Sequence, residues 1–397
     1  MKKINNFLKI DVVILAGGKG SRIKKQLEGL PKPMVDISGK PFLDYLIRKL
    51  CAYPFNKIYI MCGYRSSKII SKYHKKIINF IQIECINEKK ALGTGGCLKL
   101  LNKKISKNFL LLNGDTFFDI DYSFCFKKKN LNKNIISLVK NKNYKSNKKL
   151  INLDLDKNNK IIFKKNSNFI NGGVYFLESK IIQKLKKINK NYFSFEDDFL
   201  NQQINKKLMH GKKFDSFFID IGTKNNLSFA KKNLKKITTK PGAFFDRDGV
   251  INIDRKYVYK ISEFTFQKGI INFLKKISQD YFIFIVTNQA GIAHGKYKFN
   301  DFVNIQNNLK KYLFLKNVLI HDVRFCPFHP KAKIKKYKKI SKYRKPGNLM
   351  IQSIFKTWNI VKKSSFMVGD QKTDEICAKK SKLKFYYFKN LKSQWKK

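Results

Sequence analysis

"FFDRDGVIN", residues 244–252, sets two aspartates, Asp246 and Asp248, two positions apart directly after an apolar run. On an extended strand end alternate residues share a face, so both carboxylates can reach one ligand. The stretch lies past the middle of a 397-residue chain. Near its start the chain already carries a glycine-rich strand end, "LAGGKGSR" at residues 15–22. Two such ends, so far apart in a chain long enough for two domains, predict two active sites.

Outward from these two points, apolar runs recur with helical stretches between them. "DVVILAGG", "KIYIMCGY", "FLLLNGDT" and "NIISLVK" fill the first half, and "GAFFDRDG", "YFIFIVTNQ", "SSFMVGD" and "LKFYYF" the second. Short continuous apolar runs that end in Gly, Asp or Asn read as buried parallel strands with chemistry at their carboxyl ends. "KPFLDYLIRKLCAY" and "KGIINFLKKISQ" carry helical periodicity. The alternation predicts an α/β fold of two doubly wound, Rossmann-like domains. The polar stretch "AKKNLKKITTKPGA", residues 230–243, ends in Thr-Thr-Lys-Pro-Gly, which cannot continue a helix. It places one domain at 8–235, a linker at 236–241 and a second domain at 242–392. Residues 127–168, rich in Lys and Asn, read as ordinary strands and turns.

Hydrophobic residues make up 43% and aromatics 14%, enough for a core in each half and against disorder. No apolar run reaches the ~18 residues of a membrane span. The opening "MKKINNFLKIDVVILAGG" loosely mimics a signal peptide, but "VVILA" is short and runs into glycines, so it reads as a first strand. Seven cysteines, scattered singly, suggest no disulfide framework and fit a reducing cytoplasm. The net charge of +58 is nearly all lysine, spread over the whole length. It accompanies abundant Asn, Ile, Phe and Tyr, which share A/T-rich codons, so gene base composition accounts for it as well as a polyanion partner does. Neither a membrane nor a specific nucleic acid is expected as partner; an oligomer is left open.

Glycines at 17, 18 and 20 let backbone N–H groups approach phosphates closely. The spacing is neither that of a Rossmann fingerprint nor of a P-loop. The segments beyond this loop are more specific: "LPKPMVDISGKPFLDYLI" at 30–47, "EKKALGTGG" at 88–96, "LLNGDT" at 111–116, "NFINGGVYF" at 168–176, "SFEDDFL" at 194–200 and "FIDIGT" at 218–223. In that order they resemble the sugar-1-phosphate nucleotidyltransferase family, with its GT-A-like fold. The resemblance implies that Leu15, Gly17, Gly18, Gly20, Gly93 and Thr94 bind a nucleoside triphosphate. It puts Arg22 and Lys32 on the reacting phosphates, and makes Asp115 and Asp220 ligands of Mg²⁺. Either aspartate taken alone would serve equally as a strand-end cap. Both reactants are anions, so such a site must neutralise charge and align attack. Glu88, an acceptor-only carboxylate, suits the N1–H and 2-amino group of guanine; a surface Glu beside two lysines is the other reading. Asn171, Gly172 and Glu196 fall where the family contacts the sugar. The phrasing is most similar to the D-glycero-D-manno-heptose 1-phosphate guanylyltransferase subfamily, which implies GTP as substrate.

"FFDRDGVIN" resembles the first motif of the haloacid dehalogenase-like phosphatases. "FIVTNQAGI" at 284–292, "YRKPGN" at 343–348 and "FMVGDQKTDE" at 366–375 come next, in that family's order. The resemblance implies Asp246 as nucleophile, Asp248 as general acid and base, and Thr287 and Asn288 as phosphate donors. Lys345 would offset charge, Arg344 would contact substrate, and Asp246, Asp248 and Asp370 would surround Mg²⁺, with Asp374 behind them. An aspartate cannot approach a phosphate dianion unscreened. The wording is similar to the heptose 1,7-bisphosphate 7-phosphatase and histidinol phosphatase branch. That branch often carries a structural zinc, but the matching positions here read Cys326, Phe328, Ser341 and Tyr343, with His329 displaced by one. Two ligands cannot close a tetrahedral site, so no zinc is expected. His294, where the branch often has Arg, reads as a surface residue.

The two subfamilies catalyse consecutive steps toward a GDP-heptose, so the expectation is a bifunctional enzyme: removal of the 7-phosphate, then guanylyl transfer. The rivals are the same chemistries on mannose or hexose phosphates with GTP, UTP or dTTP, a nucleic-acid end-processing phosphatase, and a chain with one half dead and regulatory.

Overall fold

The computed structural model describes residues 4, 7–140 and 152–391. The chain divides into two compact units. One comprises Leu8–Leu50 and Phe55–Leu234, and the other contains Lys235–Lys397. None of the helices among the described residues is long and apolar enough to cross a membrane.

The first unit holds twelve strands among its described residues: β1 (Ile10–Ala16), β2 (Lys57–Cys62), β3 (Ile77–Ile78), β4 (Ile81–Asn87), β5 (Asn108–Asn113), β6 (Thr116–Phe118), β7 (Ile135–Lys140), β8 (Leu153–Leu155), β9 (Ile161–Phe163), β10 (Phe169–Glu178), β11 (His210–Phe214) and β12 (Phe218–Asp220). The main sheet runs β11-β7-β10-β5-β1-β2-β4-β3. β1 pairs in parallel with β2 on one side and β5 on the other. The chain thus winds outward from β1 in one direction and later returns to its other side. The crevice at the carboxyl ends of β1 and β5 is where such a sheet binds ligands. The sheet is not parallel throughout, because β10 runs antiparallel between β5 and β7. β10 is nearly continuous in its burial, and hydropathy carries no information about direction once both faces are covered. Of the lysine-rich stretch 127–168, residues 141–151 lie outside the described residues, and β7, β8 and β9 form in the rest.

A two-stranded ribbon, β6 with β12, pairs Thr116 with Asp220. It joins residues a hundred positions apart at one edge of the crevice. Beneath the main sheet, Val13, Phe109, Leu111, Leu138 and Tyr175 pack with Phe195 and Phe199 in one apolar cluster. Burial of such side chains, at roughly 1.5–3 kcal/mol each, fixes the strand ends that carry the polar groups.

The second unit is a five-stranded parallel sheet of β13 (Gly242–Phe245), β14 (Phe282–Asn288), β15 (Asp322–Cys326), β16 (Phe366–Gly369) and β17 (Lys384–Tyr387), in the order β15-β14-β13-β16-β17. The first strand is central, so the winding reverses beside it. Asp246 follows β13, Thr287 lies at the end of β14 and Asp370 follows β16, all at the same edge. Phe244, Phe284, Met350, Ile354 and Met367 form the core on one face.

Candidate active sites

In the first unit a cleft of about 960 Å³ opens at the carboxyl ends of β1 and β5. Leu15, Gly17, Gly18, Gly20, Arg22, Lys32, Glu88, Gly93, Thr94, Asp115, Asn171, Glu196 and Asp220 all line it. Gly172 does not. A Cβ there would meet Phe118 at 2.5 Å and the Ser137 carbonyl at 2.8 Å, so this glycine serves close packing, and its neighbour Gly173 lines the cleft instead.

Lys32 Nζ donates to Asp115 Oδ2 at 2.5 Å. The β6–β12 ribbon and the hydrogen bond from Ile221 N–H to the Asp115 carbonyl bring Asp220 alongside. A Cβ at Gly222 would touch both Asp220 Oδ1 and Lys32 Nζ, which locates the two groups at one point. Burial pushes the Asp220 carboxyl up to about 6, and the charge of Asp115 adds to this; Lys32 opposes it. Two carboxylates meeting at the edge of the cleft, one of them already paired with an ammonium, fit a divalent cation.

Glu88 sits at the far side of the glycine loop. Leu92 N–H donates to its Oε2 at 3.1 Å, while Oε1 occupies the place of a Gly17 Cβ, 2.5 Å away. Any larger residue at 17 would displace this carboxylate. Burial raises the Glu88 carboxyl above its ordinary value.

One wall of the cleft is tied by a network that sequence reasoning only partly found. Asn113 Nδ2 and the Tyr175 hydroxyl both donate to Glu196 Oε1, at 3.1 and 2.9 Å. Asn171 Nδ2 donates to the Tyr175 oxygen at 2.8 Å, and Asn171 Oδ1 accepts from Gly173 N–H. Tyr175 and Asn113 were missed because both read as strand residues. A hydroxyl in the middle of the apolar run of β10 was the available signal, since buried Tyr hydroxyls need partners. Thr94 Oγ1 accepts from Phe195 N–H at 2.8 Å, so it joins the 93–96 turn to the Glu196 segment.

In the second unit Lys345 is buried, with its Nζ 2.9 Å from Asp246 Oδ2 and 2.6 Å from Asp374 Oδ1. Burial works against the lysine's charge, but the two carboxylates outweigh it and raise its pKa. Burial lifts the Asp246 carboxyl to about 7 against the pull of Lys345. Asp246, Asp370 and Asp374 offer oxygens within 4.8 Å of one another. Asp370 Oδ1 is buried and accepts no hydrogen bond, so an acceptor faces this cluster with nothing to satisfy it. That combination fits a divalent cation. Only glycine at position 249, with φ 86°, leaves room for Asp370, because a Cβ there would collide with its carboxylate.

The Asp248 carboxylate stands outside that cluster. It takes Arg247 Nε and Nη2, Asn252 Nδ2 and Gln289 Nε2. The expectation that its side chain also surrounds the ion gives way to a separate cradle, because the chain bends after β13 and does not stay extended. Asn288 spends its side chain on the Lys345 backbone: Nδ2 donates to the carbonyl at 3.1 Å and Oδ1 accepts from the N–H at 3.0 Å. It thus places the lysine. Thr287 Oγ1 accepts from Gln289. Arg344 is partly buried with Nη1 unpartnered. The His294 ring packs on His329 at 4.8 Å, and Cys326 Sγ donates to the Phe328 carbonyl.

A family model described as nucleotidyl transferase matches residues 11–237, and one described as polynucleotide kinase 3 phosphatase matches residues 241–388. The chain is 35% identical over 218 residues to a D-glycero-alpha-D-manno-heptose 1-phosphate guanylyltransferase of Campylobacter jejuni, covering 54% of this chain and 95% of that protein. Over 141 residues it is 36% identical to a D-glycero-beta-D-manno-heptose-1,7-bisphosphate 7-phosphatase of Rhodopseudomonas palustris, covering 35% of this chain and 78% of that one. Among solved structures, a putative glucose-1-phosphate thymidylyltransferase from Bacillus anthracis shares the fold of the first unit. Its TM-score is 0.50 at 17% identity, over 56% of this chain and 94% of that one. The chain therefore belongs to the nucleotidyl transferase family over its first half and to the family of the heptose-1,7-bisphosphate 7-phosphatases over its second.

Proposed function

We propose that the chain carries out two consecutive reactions of GDP-heptose synthesis. The second unit removes the 7-phosphate of D-glycero-D-manno-heptose 1,7-bisphosphate. The first transfers a guanylyl group from GTP to the heptose 1-phosphate so formed. One observation carries this reading: relatives of the two halves are named for reactions on D-glycero-D-manno-heptose phosphates that follow one another in all but the anomer.

In the first unit, the glycine loop and Arg22 receive the triphosphate, and Lys32 lies on the reacting phosphates. An oxygen of the sugar 1-phosphate bonds to the α-phosphorus, and the bond to pyrophosphate breaks. Glu88 accepts from the Watson–Crick edge of guanine. Glu196 and Asn171, held by Tyr175, receive the sugar hydroxyls. In the second, Asp246 attacks the 7-phosphorus and Asp248 gives a proton to the leaving oxygen. Asp248 then takes a proton from the water that hydrolyses the aspartyl phosphate. Lys345 balances the charge of the nucleophile. Asp115 and Asp220 in one site, and Asp246 and Asp370 in the other, would hold Mg²⁺, which would supply positive charge to offset the repulsion between two anions.

The test is incubation of the purified chain with heptose 1,7-bisphosphate, GTP and Mg²⁺, following phosphate, pyrophosphate and GDP-heptose. The names of the relatives differ in anomer, alpha for the transferase and beta for the phosphatase. Coupled turnover requires the phosphatase half to accept the α-anomer, so both anomers are supplied. Phosphate release without GDP-heptose from either anomer refutes the coupled reading. UTP or dTTP outperforming GTP refutes the assignment of Glu88. The description of the second family model favours one other reading, removal of a terminal phosphate from a polynucleotide. Efficient release from a 3′-phosphorylated oligonucleotide at physiological salt, with none from the sugar, would establish it.

A further inference from the structure

Arg247 separates the two aspartates of the second site and is among the largest fully buried side chains of the molecule, 1% exposed. A buried guanidinium is costly unless its charge and donors are answered. Here Nη2 lies 2.8 Å from both oxygens of Asp248 and Nε lies 3.2 Å from both, while Nη1 is buried with no hydrogen-bond partner. Nη2 also donates to the Val258 carbonyl at 3.0 Å, and the guanidinium lies 5.8 Å from the Phe302 ring. Neighbouring residues on a strand point to opposite faces. This pairing exists only because the chain bends after β13, where the backbone of Arg247 accepts from Ile251 and Asn252.

The remaining donors complete a cradle. Asn252 Nδ2 reaches Asp248 Oδ1 at 3.0 Å, and Gln289 Nε2 reaches Oδ2 at 3.0 Å. Gln289 is itself held, because its Oε1 accepts from the Tyr297 hydroxyl at 2.6 Å. The Asp248 side chain keeps 21% of its surface open, so the cradle does not seal it off.

We propose that Arg247 is a positioning residue that fixes the Asp248 carboxyl at the leaving oxygen of the substrate. The inference rests on the phosphatase reading above. In the first step the Asp246 oxygen bonds to phosphorus, the bond from phosphorus to the sugar oxygen breaks, and the proton on Asp248 goes to that oxygen. An alkoxide leaves poorly without this proton, whereas p-nitrophenolate leaves without it. Correct placement of Asp248 therefore matters for a sugar phosphate and hardly at all for an aryl phosphate in this step.

The experiment is rapid quench of wild type, Arg247→Met, Arg247→Lys and Asp248→Asn with heptose 1,7-bisphosphate and with p-nitrophenyl phosphate. Met keeps the length and the apolar burial; Lys keeps the charge but loses the planar fork. The expected result for Arg247→Met is a first turnover on the sugar about 100-fold slower, within the usual range for a general acid. The same variant keeps a burst of one p-nitrophenolate per enzyme at nearly the wild-type rate, matching Asp248→Asn. Arg247→Lys shows the same selectivity, and decides the matter if Arg247→Met does not fold. Equal slowing of both first turnovers in Arg247→Lys, or none in either, overturns the proposal. Failure of the wild type on both substrates would instead refute the phosphatase reading itself.

Discussion

Each unit sets a lysine on an aspartate just beyond a central strand, yet the two pairs live in different surroundings. Lys32 and Asp115 keep 13% and 29% of their side-chain surface in an open cleft, whereas Lys345 and Asp246 keep 1% and 12%. Burial strengthens the attraction between charges and raises the cost of leaving either one alone. The difference matches two chemistries. Transfer between a nucleotide and a sugar phosphate needs room for both and no covalent bond to the protein. A phosphatase that uses an aspartate as nucleophile needs that carboxylate stripped of water and aimed at phosphorus.

If this contrast is right, the largest effect falls on the sealed site. Asp246→Asn is expected to lower phosphate release by at least about 10⁴-fold, since losing a nucleophile removes nearly the whole rate enhancement. Guanylyl transfer from preformed heptose 1-phosphate should be unchanged. Loss of both activities would collapse the distinction between the two sites. Next, Lys32→Ala should lower pyrophosphate release by about 10³-fold, as for other preorganised charge stabilisers, and leave the phosphatase intact.

Asn288→Ala sharpens the comparison, because it removes the side chain that clamps the backbone of the buried lysine. Its two hydrogen bonds place the Lys345 backbone. A shift of that lysine should cost phosphatase kcat up to about 100-fold, with aryl and sugar phosphates affected alike. The smallest effect belongs to the open cleft. Tyr175→Phe deletes the donor to Glu196 and should raise KM for the sugar phosphate by about 10-fold, equivalent to roughly 1–1.5 kcal/mol. KM for GTP should stay unchanged. An equal rise for both substrates would mean that the network supports the fold and not the sugar.

Much of this was legible from residue order. Glycines after β1 and aspartates after β5, β13 and β16 all stand at strand ends that the hydropathy alternation had already marked, whereas the lysine of "YRKPGN" lies in a loop and was legible only from the order of motifs. Gly172 was misread, since its neighbour Gly173 lines the cleft and Gly172 packs on Phe118. A glycine pair in a motif does not say which member faces the ligand. β10 and β15 were not marked as strands. β10 was quoted only as a motif, and "DVRFC" of β15 alternates weakly because Asp322 is buried.

By itself the sequence determined where apolar runs stop and which charged or small residues stand at each stop, because a strand's side-chain period is local. Only the tertiary structure decided which stops meet: Asp115 with Asp220 through the β6–β12 ribbon, Asp246 with Asp370 across β13 and β16, and Arg247 folded back onto Asp248. The reason is physical. Burial is encoded along one strand, but partnership depends on strand order, direction and the bend beyond each strand end, and those emerge only when whole layers pack.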